Sequence, residues 1–142
     1  MDTQTVQLVQ DSWKKVVPIA DQAMEIFYAK LFTINPATRA LFPAEAHLMA
    51  GQRNKLRDML NVAVNGLSNT AALIPALRQL GARHVPYGVQ PHHYDEVGGA
   101  LIGTLEAGLG EDFTPAVRQA WTEVYGVVSA TMLAGAEAAV VK

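Results

Sequence analysis

The sequence predicts an all-α fold, and three observations carry that expectation. Apolar residues recur at helical intervals along almost the whole chain. No stretch sustains the alternation that a half-buried strand requires. Prolines and glycines cut the pattern into segments of unequal length joined by short corners.

Thr3-Gln4-Thr5 opens a first helix that sets Val6, Val9, Trp13 and Val16-Val17 on a common side, and Pro18 ends or bends it. A second helix runs to about Thr33, with Met24, Phe27, Tyr28 and Leu31 inward, and stops before Asn35-Pro36. A short helical segment from Ala37 to Phe42 leads through Pro43 into an irregular stretch. From roughly Gly51 to Leu67 the next helix presents Leu56, Met59, Leu60, Ala63, Val64 and Leu67. In the helix that starts near Ala71, Leu73, Leu77, Leu80 and His84 share one face, and Pro86 disfavours helix at Val85. Pro86 to Pro91 is a breaker-rich corner, and Pro91 suits the first turn of a long helix through Tyr94, Val97, Leu101, Leu105 and Leu109, ending at Gly110. Thr114-Pro115 repeats the cap-then-proline signal and starts a last helix through Val117, Trp121, Val124, Val128 and Met132. Residues 134–142 are expected to fray.

A chain of 142 residues without repeat, charge block or low-complexity linker suits one domain, 1–142. No apolar run approaches the ~20 residues of a membrane span, and the acidic, polar start does not read as a secretory signal, so a cytoplasmic location is expected. Eleven Lys/Arg against thirteen Asp/Glu lack the basic excess that supports nucleic-acid binding. With no cysteine, disulfides, thiolate ligands and thioether-linked haem are excluded.

Three polar residues interrupt the apolar faces. His84 points where leucines point, at a helix end where one ring nitrogen can take a metal while the other donates to a carbonyl. Taken alone, it reads more readily as a core histidine with a satisfied hydrogen bond. Tyr28 shares a face with Met24 and Leu31, so its phenol is buried or lines a cavity and needs a partner. Gln52, four residues before Leu56, brings an amide to the edge of an apolar face. Separately these two suit a tyrosine on a backbone carbonyl and a surface glutamine. Together with His84 they describe an apolar cavity with convergent polar groups.

Phe27-Tyr28-Ala29-Lys30-Leu31-Phe32 and Asn35-Pro36-Ala37-Thr38-Arg39-Ala40-Leu41-Phe42 resemble bacterial single-domain globins, related to flavohaemoglobin globin domains and neuroglobin-like proteins. Gln52 to Leu60, Arg83 to Val89, His93-Tyr94 and Ala120 to Gly126 continue the match in order over nearly the whole chain. About seven helices with proline-marked corners suit a globin fold better than a symmetrical four-helix bundle.

The resemblance implies non-covalent haem b, with His84 as the proximal iron ligand and Phe42 against the haem face. It implies Tyr28 and Gln52 as the distal pair, Leu56 over the iron, and Lys55 near the pocket mouth within reach of a propionate. Val89, Tyr94 and Val97 become further haem contacts. His47 precedes the distal helix and approaches the iron only if that region rearranges; His92 and His93 are surface or haem-edge residues. Flavohaemoglobins pair the proximal histidine with a tyrosine and a last-helix glutamate. Tyr94 matches the tyrosine, but Ala136 stands where the glutamate is expected and Glu137 follows it.

The implied function is reversible binding of O₂, CO and NO, with high O₂ affinity because O₂ gains more negative charge on binding than CO and so profits more from the distal donors. The enzymatic alternative is a nitric-oxide-dioxygenase-like activity fed by a separate reductase, since no reductase domain accompanies the globin pattern. A haem-free helical interaction module explains the periodicity but not the Tyr28, Gln52 and His84 constellation. A gas sensor lacks an output domain. Resemblance does not choose among storage, transport, scavenging and signalling, and oligomeric state is left open.

Overall fold

The computed structural model describes residues 2–141. Among them are α1 (Thr3–Val16), α2 (Ala20–Ile34), α3 (Ala46–Gly66), α4 (Thr70–His84), α5 (Pro91–Leu109) and α6 (Pro115–Val141), with 3₁₀ segments in every connection but the α3–α4 turn, and no strand. The six α-helices accord with the all-α globin pattern. The expected seventh, around 37–42, is the 3₁₀ segment Pro36–Leu41, capped by the Asn35 side chain accepting from the Ala37 N–H.

Local chemistry sets most boundaries. Asp2 caps α1 by accepting the Thr5 N–H at 2.7 Å, and the helix opens at Thr3 as expected. Thr114 Oγ1 accepts the Val117 N–H and Pro115 occupies the first position of α6. Gly88 closes the Val85–Tyr87 turn at φ +79°, a left-handed conformation that glycine adopts without strain. α3 starts at Ala46, five residues before the expected Gly51, because Met49 is buried and anchors an extra first turn. His47 is therefore helical and exposed instead of lying in an irregular segment. Alanine-rich sequence continues α6 through Val141, across most of the 134–142 segment expected to fray; Lys142 lies outside the described residues.

The core is built where α2 crosses α5 and where α1 and α4 lie on α6. Trp13 and Trp121 meet between α1 and α6 with ring centroids 6.2 Å apart. Their buried indole N–H groups donate to Asn61 Oδ1 and Ser12 Oγ, which removes the penalty of unpaired donors. Helix α4 approaches α6 closely at two glycines. A methyl group added at Gly81 would land on the Met132 carbonyl, and one at Gly135 on the Arg78 carbonyl. Two reciprocal glycines thus seat α4 backbone-to-backbone on α6 and fix the helix that ends in His84.

Candidate functional site

α3 is a long helix that covers little. Of its 21 residues only Met49 and Val64 are buried, whereas the 19 residues of α5 bury seven. Between those two anchors, Gln52, Leu56, Met59, Leu60 and Ala63 are half-buried. The face was patterned to be covered, and protein side chains cover it only in part. Leu80, Val89 and Val97, on α4, α5 and the corner between them, are likewise half-buried apolar residues packed against the core.

On the α2–α3 side, the sequence-expected residues come together. Tyr28 is buried, and Gln52 Nε2 donates to its hydroxyl oxygen at 3.3 Å. Because the oxygen accepts from Gln52, the phenolic proton is left to donate elsewhere. Burial pushes the Tyr28 phenol above its ordinary value of 10.0, and the Gln52 hydrogen bond and the nearby Arg53 charge only partly oppose this. The phenol is thus a proton donor across the physiological range. Phe27 meets the Tyr28 ring edge-on at 5.0 Å and Phe42 does so at 5.2 Å, so its two torsions are held by packing.

His84 lies apart from this pair, at the last position of α4, half-buried. Its Nδ1 stands 2.6 Å from the Leu80 carbonyl oxygen. A carbonyl can only accept, so Nδ1 carries the proton and Nε2 is left with a free lone pair. The carbonyl used is one turn back in the helix, not one freed beyond its end. No hydrogen bond joins His84 to Tyr28 or Gln52 among the described residues. Leu56 is half-buried and Lys55 is exposed.

Tyr94 is buried, and its hydroxyl is the one buried side-chain polar atom without a partner among the described residues. Glu137 is exposed on α6 and Ala136 half-buried, so the helix does not turn a carboxylate toward that phenol. Tyr125 donates to the Tyr94 backbone carbonyl at 2.5 Å. Burial raises the Tyr94 phenol, and it raises Tyr125 well above the ordinary range with help from Tyr94 and Asp95.

These three tyrosines set an alkaline limit. The folded chain holds their protons above pH 10, where the unfolded chain releases them, so stability is intact below about 10 and falls as pH rises further. Thermal melting should stay level to about pH 9.5 and decline above it, less steeply in Tyr28→Phe. A decline of equal slope in that variant would show that Tyr28 ionises freely.

Arg39 was not singled out by its position in the sequence. Its guanidinium donates to the Phe42 and Pro43 carbonyls and stands 5.3 Å from the Phe32 ring centroid. It ties down the corner that presents Phe42, a job that depends on how the chain turns after residue 41 and so leaves no spacing signal. Two broad surface hollows lie elsewhere. One, of about 530 Å³, runs between α2 and α5 over Gly99 and Gly103, and the other lies at the α1–α2 corner. Neither is lined by Tyr28, Gln52 or His84.

Residues 25–132 match the globin family. The chain is 28% identical over 140 residues to a flavohemoprotein of Rhodopirellula baltica, covering 99% of this chain and 34% of that protein. It is 29% identical over 133 residues to a flavohemoprotein of Bacillus subtilis, covering 91% of this chain and 32% of that protein. The chain thus spans about a third of the length of these relatives.

Proposed function

The chain belongs to the globin family, and on that premise we propose that it is a haem b protein, one domain over 1–142, that reversibly binds O₂, CO and NO with high affinity for O₂. When bound, haem supplies the iron that takes the gas. The residues present fit such a group. His84 Nε2 is a free imidazole nitrogen of the kind that ligates haem iron. The half-covered apolar faces of α3 and of the α4–α5 corner suit a flat hydrophobic macrocycle held without a covalent link. His84 would hold its iron, Phe42, Leu56, Val89, Tyr94 and Val97 would pack against the macrocycle, and Lys55 would reach a propionate.

The observation that carries this reading is the Gln52 amide on the Tyr28 oxygen. It leaves a buried, protonated phenol free to donate its own proton, with a second amide proton beside it. In apolar surroundings these donors favour the ligand that gains most negative charge. Hydrogen bonds to charged groups contribute about 1.5–3 kcal/mol, so Tyr28→Phe and Gln52→Leu should each speed O₂ dissociation roughly ten- to a hundredfold. CO dissociation should change much less. The double variant should fall short of additive, because the two side chains share one hydrogen bond. Unchanged O₂ release in both single variants would sink the proposed distal pair.

A second reading, nitric oxide dioxygenation with electrons from a separate reductase, draws on the two flavohemoprotein relatives. The partnerless Tyr94 hydroxyl and the exposed Glu137 weigh against it, because no carboxylate among the described residues bonds that phenol. Gas binding therefore ranks ahead of turnover.

A further inference from the structure

At the first turns of α5, His92, His93 and Glu96 place one ligand atom each within 4.8 Å of one another. We propose that these three side chains form a second metal site, outside the gas-binding pocket, for a divalent transition-metal ion of the zinc, nickel or copper type.

His92 and Glu96 stand four residues apart, so the helix stacks them on one face. His92 Nε2 lies 4.0 Å from Glu96 Oε1, a separation that one ion with bonds of about 2.0–2.2 Å to each can bridge. The carboxylate is already oriented. Asn35 Nδ2, at the end of α2, donates to both of its oxygens at 2.9 Å. This is the outer-shell support that ligating carboxylates commonly receive. Two imidazoles and one carboxylate select borderline metals over calcium or magnesium, which favour all-oxygen sites. The positive end of the α5 dipole opposes a cation here, which makes the Glu96 charge indispensable.

His93 joins at a specific cost. Its Nδ1 accepts the Gln90 N–H at 2.8 Å, so in the neutral ring the proton sits on Nε2. Ligation through either nitrogen requires that bond to be given up: through Nδ1 directly, through Nε2 because the proton must move to Nδ1. Metal uptake therefore exchanges a capping bond of α5 for a metal bond, and it loosens the corner that follows His84.

Zinc titration of the untagged, haem-loaded protein by calorimetry tests this, with the Soret band and far-ultraviolet circular dichroism confirming that each variant is folded. Equimolar uptake is expected. His92→Ala and Glu96→Gln should each weaken binding well beyond tenfold, Asn35→Ala by roughly tenfold, and His47→Ala not at all. On zinc saturation the Gln90 amide should exchange with solvent faster. Undiminished affinity in the His92→Ala, Glu96→Gln double variant overturns the site, and unaltered Gln90 exchange overturns the three-ligand form of it.

Discussion

His84→Ala should cost the protein its haem. The proposed iron bond depends on one nitrogen of His84: Nδ1 is occupied by the Leu80 carbonyl and only Nε2 is free. His47 and His92 are exposed on other helices, and His93 Nδ1 is engaged by the α5 cap. The apolar wall retains some affinity for the macrocycle, so the variant should emerge with a weak, shifted Soret band that added imidazole restores. Replacing His47, His92 or His93 should leave the spectrum nearly intact. A His84→Ala protein with the wild-type spectrum and haem affinity would remove His84 from the axial position.

Gly81→Ala should destabilise the fold by about 3 kcal/mol, near the upper end of what over-packing a core commonly costs. The added methyl meets the Met132 backbone carbonyl, which has no rotamer to escape into, so α4 must lift from α6. For a chain of this size that corresponds to a melting point lower by about 10 °C. The displacement is carried to His84, three residues further along the same helix, so haem affinity should fall with stability. Gly135→Ala should act alike through the Arg78 carbonyl. Gly126, also on α6, has nothing within 4 Å of an added methyl, and Gly126→Ala should stabilise by roughly 0.4–1 kcal/mol. If Gly81→Ala melts with the wild type, the close α4–α6 contact is not what fixes α4.

Helix order and the inward faces can be read from spacing alone, because burial of a stripe is what periodicity records. Tyr28 follows Met24 by four residues and precedes Leu31 by three, and it is buried with them. The end of α4 at His84 follows from Pro86 by backbone sterics. The start of α3 does not follow from local signals, since Pro43 reads as a breaker whose reach only the burial of Met49 defines. Gly81 reads in sequence as a tolerated helical glycine; its importance arises from a backbone 51 residues away. The Tyr28–Gln52 hydrogen bond is intermediate. Each residue's inward aim is visible in sequence, but their pairing depends on how α2 crosses α3. The clustering of His92, His93 and Glu96 was hidden for a similar reason: two adjacent histidines on an ideal helix point apart, and the capping turn at Gln90 accompanies ring centroids 4.2 Å apart.

Titration of the haem-free chain with haemin, followed in the Soret region, reaches most directly the proposal that α3, α4 and α5 enclose a haem ligated by His84. Saturation should come at equimolar haem, with a sharp endpoint, and reduction should give a spectrum that shifts reversibly on adding and removing O₂. Uptake that never saturates, or a spectrum no different from that of free haemin, would leave the half-covered faces of α3 and the α4–α5 corner without the occupant proposed for them.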